Sequence, residues 1–341
     1  MKTVFLPVLQ DRFQRVHRYL RISVTDRCNF RCLYCMPADF NGFLPRSQVL
    51  SFEEIARIVR VSAGLGISKL KITGGEPLVR REVPALIRSL HGIPGVEEIT
   101  MTTNGVLLGR YARELKDAGL DRVTISLDTL KPERFDRIAR GTGTRQDVLA
   151  GIATARAVGL EPVKINVVSM RGVNDDEVLD FARLTVEEGW HVRFIELMPF
   201  PEEQNQDCHG GGLDGAYLPE AEIRIAIEGS YGPLEPAEVP GNGPARYFRV
   251  PGSAGSIGFI SAVSEEHFCA RCNRLRLTAE GKLRPCLLQD DEVDLRAPLR
   301  SGISDTQLAQ LFQDTVEGKR ESHRLGLGVT PQLRHMSQIG G

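Results

Sequence analysis

The chain has 341 residues, 43 Lys and Arg against 44 Asp and Glu, a formal net charge of −1 and 41% hydrophobic residues. This length exceeds what one compact core usually takes, so a large domain with an appendage, or two domains, is expected. No apolar run approaches the length of a membrane-spanning helix, so a soluble globular protein is expected, and the near-neutral balance argues against wholesale nucleic-acid binding while leaving room for a local basic pocket.

The N-terminal stretch "MKTVFLPVLQDRFQRVHRYL" has a short apolar run broken by Pro7 and then by charge, with no cleavage site after it. Export is not expected, and the reading is cytoplasmic. Strands follow at "LRISVT", "KLKITG", "EEITMTTNG", "DRVTISLD", "PVKINVV" and "HVRFIELMP". Amphipathic segments separate them, the clearest being "SFEEIARIVRVSAGLG". There Ser51 and Glu54 form a capping box, Ile55, Ile58 and Val59 share a face, and Gly64 or Gly66 ends the helix. This βα grammar predicts an α/β fold, an incomplete (βα)6 version of the eight-unit TIM-like barrel, with function at the C-terminal ends of the strands.

The informative loops stand at those ends: a cysteine triplet after the first strand, then Gly74-Gly75-Glu76-Pro77, Thr102-Thr103-Asn104-Gly105 and Ser126-Leu127-Asp128. After Pro199 the grammar stops in a Gly-rich loop holding Cys208 and His209. A boundary near Gly241 divides residues 1–240, the barrel, from 241–341, a smaller α+β unit with short antiparallel strands.

Six of the seven cysteines form two triplets, Cys28-x3-Cys32-x2-Cys35 and Cys269-x2-Cys272-x13-Cys286. Thiolates at such spacing favour zinc or iron–sulfur clusters. Three cysteines on a cubane leave one iron open to a substrate. The alternatives at this point are structural zinc with a distant fourth ligand, buried free thiols, and a zinc ribbon completed by His267. Cys208 reads as an ordinary thiol.

"RCNFRCLYCMP" after the first strand and "GGEP" after the second resemble the radical S-adenosylmethionine (SAM) superfamily. With the second triplet, "NRLRLT" and "MSQIGG", the resemblance narrows to the GTP 3′,8-cyclases of molybdenum cofactor biosynthesis, over essentially the whole chain. It implies a lyase with two [4Fe–4S] clusters, the first on Cys28, Cys32 and Cys35 with SAM on its unique iron, the second on Cys269, Cys272 and Cys286 meeting the guanine of GTP. SAM would touch Tyr34, Gly75, Ser126 and Met198. Gly74 and Gly75 lack a Cβ and would let a ligand approach the backbone.

For GTP the resemblance points to Arg21, Lys71, Thr102, Lys164, Arg274 and Arg276, with Lys69 and Arg193 in the basic lining. Residues 69 and 71 share a strand face, as do 274 and 276. Lys71 departs from the usual Arg, which loses the two-pronged contact. The implied reaction begins with a 5′-deoxyadenosyl radical taking the 3′ hydrogen of GTP. The C3′ radical then attacks C8, and reduction and protonation follow. Gly340 and Gly341 would thread into the site and be needed for the chemistry.

An external electron donor and transfer of product to the next pathway enzyme are implied, and no nucleic acid or membrane partner. A homodimer is compatible with the sequence. Two other readings stay open: a radical SAM enzyme acting on a peptide, and a non-enzymatic zinc-binding interaction protein.

Overall fold

The strands alternate by chemistry as well as by pleat. In β1 (Tyr19–Ser23), Leu20 and Ile22 are fully buried toward the helices, while Arg21 lies on the opposite face. The pattern repeats in β2 (Lys69–Thr73) with Leu70 and Ile72 around Lys71, in β3 (Glu98–Thr103) with Ile99 and Met101, and in β4 (Arg122–Ser126) with Val123 and Ile125. It continues in β5 (Lys164–Ser169) with Ile165 and Val167, and in β6 (His191–Glu196) with Val192 and Phe194. Because the side-chain period of a strand is two, one face builds the core and the other collects Arg, Lys and Thr. Each buried aliphatic side chain contributes about 1.5–3 kcal/mol, and that term fixes which face turns inward.

The computed structural model describes residues 8–199, 215–325, 328–332 and 334–340. Between successive strands run α1 (Phe52–Gly64), α2 (Val83–His91), α3 (Leu108–Asp117), α4 (Pro132–Ala139) with α5 (Arg145–Ala157), and α6 (Val178–Glu187). The expected capping box opens α1: Ser51 Oγ accepts from Glu54 N at 3.2 Å, and Glu54 Oε2 accepts from Ser51 N at 2.7 Å. That helix ends at Gly64, and Gly66 takes φ +95° beyond it.

Strands β1 to β6 pair in parallel and in sequence order. The rest of the chain adds α7 (Glu220–Tyr231), β7 (Glu235–Pro236), β8 (Arg246–Arg249), β9 (Ser256–Ile260), β10 (Arg274–Leu277), β11 (Lys282–Arg284), β12 (Val293–Asp294), α8 (Arg296–Arg300) and α9 (Asp305–Glu317). The expected antiparallel pairs are present as β8 with β9 and β10 with β11. Sequence reading did not foresee that β9 also pairs in parallel with β6, and β10 in parallel with β1. The sheet order is therefore β12-β11-β10-β1-β2-β3-β4-β5-β6-β9-β8-β7. Eight parallel strands stand side by side, and the last third of the chain supplies both flanks. Among the described residues no helix is long and apolar enough to cross a membrane.

Candidate active site

One cavity gathers the polar face of this sheet and the loops at its rim. All six triplet cysteines line it, as do Tyr34, Gly75, Ser126, Met198, Arg21, Lys71, Thr102, Lys164, Arg193, Arg274, Arg276 and Gly340. Lys69 does not. It shares a face with Lys71 but opens β2 at the strand's N-terminal end, where its ammonium stands 3.4 Å from Glu97 Oε2. Alternation gave its face, and its depth along the strand takes it out of the cavity. Gly341, Cys208 and His209 lie outside the described residues.

The first cysteine loop is seated by its neighbours. Phe30 N donates to Cys28 Sγ at 3.4 Å, and Tyr34 Oη donates to Asp128 Oδ2 at 2.8 Å. The glycine pair after β2 packs directly beneath it: Gly75 N donates to Thr25 O at 2.7 Å, and a Cβ on Gly75 would stand 2.4 Å from Arg27 O. The missing Cβ at Gly75 is thus required by loop-on-loop packing. Glu76 is buried and accepts from Thr103 Oγ1 at 2.8 Å, Asn104 N at 2.7 Å and Leu78 N at 3.0 Å. Burial pushes its carboxyl up to about 7 in spite of these donors.

Burial also lifts the first-triplet thiols, Cys28 and Cys35 to about 12, and Cys32 well above its ordinary value. In the second triplet burial raises Cys269 and Cys286. Cys272 differs: burial pushes it up, but the cations of Arg274 and Lys319 overcome that and bring it down to about 6. A metal binds cysteine as the thiolate, so burial of the first set opposes the ligating form and the cations beside Cys272 favour it.

Three sulfurs on each side of one cavity suit two cubanes, each of which puts its thiolates on different irons. Among the described residues no three Cys, His, Asp or Glu groups close around a single ion, an arrangement that a cubane does not require. His267, the candidate fourth zinc ligand, is exposed and does not line the cavity; His323 does.

Toward the other end of the strands the cavity is basic. Lys71 Nζ donates to Thr124 Oγ1 at 3.1 Å, and Arg193 donates to the same oxygen at 3.2 Å and to Asn166 Oδ1 at 2.8 Å. Burial holds Lys71 well below its usual range, and Arg193, Arg21, Lys164 and Arg122 reinforce the effect. Burial, with Arg193 and Arg122, brings Lys164 to about 7, and its ammonium donates to Pro240 O. This is a crowd of cations with little internal compensation, the electrostatic shape of a polyanion site. Gly340 reaches the same place, where its carbonyl accepts from Arg21 Nη2 at 3.0 Å and from Arg276 Nη1 at 3.1 Å.

Comparison with known proteins fits this geometry. The Radical SAM superfamily model matches residues 22–185 and the Molybdenum Cofactor Synthesis C model matches residues 190–325. The GTP 3′,8-cyclase of Moorella thermoacetica is 53% identical over 334 residues, covering 98% of this chain and 100% of that protein. Those of Heliobacterium modesticaldum and Pelotomaculum thermopropionicum are 51% and 48% identical, covering 97% and 98% of this chain and 99% and 100% of theirs. The chain belongs to the GTP 3′,8-cyclase family.

The GTP 3′,8-cyclase family uses SAM and two [4Fe–4S] clusters, and both cysteine triplets are present in this chain as free thiols. Sequence reading missed several groups around them. Arg122, at the start of β4, lines the cavity and pairs with Glu98. The strand alternation applied to residues 69 and 71 could have found it, because Arg122 shares a face with Thr124. Asn166 lines the cavity by the same rule, and Asp128, which belongs to the strand-end loop 126–128 already singled out in the sequence, lines it too. Lys319, by contrast, arrives from the end of α9, and no local pattern announces it.

Proposed function

We propose that this chain is a radical SAM lyase that converts GTP into 3′,8-cyclo-7,8-dihydro-GTP, the first step of molybdenum cofactor biosynthesis. The observation that carries the reading is the pair of cysteine triplets facing a single cavity whose walls are basic strand residues. Cys28, Cys32 and Cys35 would hold the N-terminal cluster, which with SAM would supply radical chemistry at the GTP ribose, and Cys269, Cys272 and Cys286 would hold the second cluster beside the guanine.

The protein's own share is placement and exclusion of water. Tyr34, Gly75, Ser126 and Met198 surround SAM. Arg21, Lys71, Thr102, Lys164, Arg193, Arg274 and Arg276 hold GTP through charge-assisted contacts. Lys69 is left out of this set because it opens β2 at the N-terminal end of the strand, outside the cavity and beside Glu97. The division of labour falls near residue 240, with the barrel before it and the second cluster region and Gly340-Gly341 after it. An external donor supplies the electron in the cytoplasm, the product passes to the next enzyme, and a homodimer is compatible with this scheme.

The test uses GTP deuterated at C3′ with anaerobically purified protein. Deuterium should appear in 5′-deoxyadenosine as cyclised product forms. Product without transfer removes the abstraction step, and zinc without inorganic sulfide in the purified protein removes the whole reading.

A further inference from the structure

Lys319 follows the C-terminus of α9 and is 3% exposed. Its ammonium donates to Cys272 Sγ at 3.3 Å and to Arg274 O at 2.8 Å. Helix α9 is itself pinned by Leu308, Phe312 and Val316, all buried, and Lys319 N donates to Val316 O at 3.1 Å. A second clamp acts on the same segment. Arg15 donates to Cys269 O at 3.0 Å, Glu321 O at 2.6 Å and Arg320 O at 2.7 Å, while its Nε is held by Asp11 Oδ2 at 2.6 Å.

Neither Lys319 nor Arg15 lines the cavity. Both act from behind the cysteine loop. The donors to the sulfurs differ: Cys286 Sγ accepts from the neutral amide of Leu288 at 3.4 Å, whereas Cys272 receives the Lys319 ammonium from behind in addition to Arg274 from the cavity side. An ammonium in a site almost closed to water is a strong and fixed perturbation, because little solvent screens it.

We propose that Lys319 is a positioning residue for the C-terminal cluster, donating to the Cys272 ligand from behind and holding the cluster's reduction potential above the value its thiolates alone would give. A hydrogen bond to a ligating sulfur withdraws electron density and stabilises the reduced cluster, which is how outer groups tune iron–sulfur sites. The inference rests on the reading that Cys269, Cys272 and Cys286 hold a [4Fe–4S] cluster.

The test isolates that cluster in protein carrying Cys28→Ala, Cys32→Ala and Cys35→Ala, then compares Lys319, Lys319→Met and Lys319→Gln by redox titration followed by electron paramagnetic resonance, with iron and sulfide assayed in each. Lys319→Met, which keeps the apolar stem and loses the donor, should shift the potential to more negative values. Lys319→Gln, a neutral donor, should lie between. Equal potentials in the three proteins overturn the proposal. If Lys319→Met does not load the cluster, the Gln protein decides alone: a more negative potential than with Lys319 supports the proposal, and an equal one overturns it. Absence of iron and sulfide from the protein that retains Lys319 is a separate failure, that of the cluster assignment itself.

Discussion

Tyr34 Oη donates to Asp128 Oδ2 at 2.8 Å, joining the first cysteine loop to the end of β4 across 94 residues of sequence. Val168 N holds the other carboxylate oxygen at 2.8 Å, and Asn174 Nδ2 donates to Asp128 O at 2.8 Å. Burial pushes Asp128 up to about 6, with the Val168 and Tyr34 donors opposing it. A carboxyl whose native pKa is raised binds its proton more tightly folded than unfolded. Its contribution is therefore most favourable below about pH 4 and is lost as pH rises through about 6.

The Tyr34 donor matters most once Asp128 is ionised. Tyr34→Phe should destabilise the cluster-free protein by about 1.5–3 kcal/mol at pH 7.5, the range for a hydrogen bond to a charged group, and by less at pH 5. Urea unfolding at the two pH values measures this. Equal losses at both would mean that the hydroxyl serves packing and leaves the carboxylate's charge uncompensated.

Gly340→Ala should separate product formation from cofactor binding. Gly340 sits at φ +72°, and a Cβ there would lie 2.5 Å from Thr73 Oγ1. The left-handed conformation costs an L-residue roughly 1–2 kcal/mol before that clash is counted. The expected outcome is full cluster content and SAM binding with cyclised product down by more than about tenfold, a loss equivalent to 1.4 kcal/mol or more in the barrier. Adding Thr73→Ala should recover part of it, because it removes the colliding oxygen.

GTP affinity should fall as pH rises above about 7. Lys164 is already losing its proton there in the ligand-free protein, since burial and the nearby Arg193 and Arg122 disfavour the ammonium. A bound triphosphate favours the charged form, so binding at pH 8 should take up a proton. Calorimetry in two buffers of different ionisation enthalpy reads the uptake directly. Lys164→Met should weaken binding most at pH 7 and flatten the dependence; an unchanged slope would assign the proton to another group, with Lys71 the next to test.

What the sequence disclosed was what is local. Cysteine spacing places three thiols in one loop, and the two-residue strand period puts Arg21, Lys71, Lys164 and Arg193 on one face. Depth is a different coordinate, set by how far along a strand the neighbouring element reaches, and Lys69 shows the difference. Strands β9 and β10 read locally as members of antiparallel pairs, which they are. Their second partners, β6 and β1, are chosen by the fold as a whole. Arg15 and Lys319 escape notice for the same reason, since their meaning lies in carbonyls and a sulfur that the chain brings to them from elsewhere.

The placement of β10 against β1 and of β9 against β6 has a consequence for the nascent chain. When β6 leaves the ribosome, six parallel strands can assemble, yet both outer backbones of that ribbon still present unsatisfied amides and carbonyls. Tyr19 waits for Arg274, and His191 for Ser256. Until those partners are synthesised, each border is a template for pairing with another molecule, and closing the longer gap carries a loop-entropy cost that slows the search. Maturation is therefore a race between late-arriving borders and intermolecular association, and the later border delivers the residues of the second cysteine triplet along with its strand.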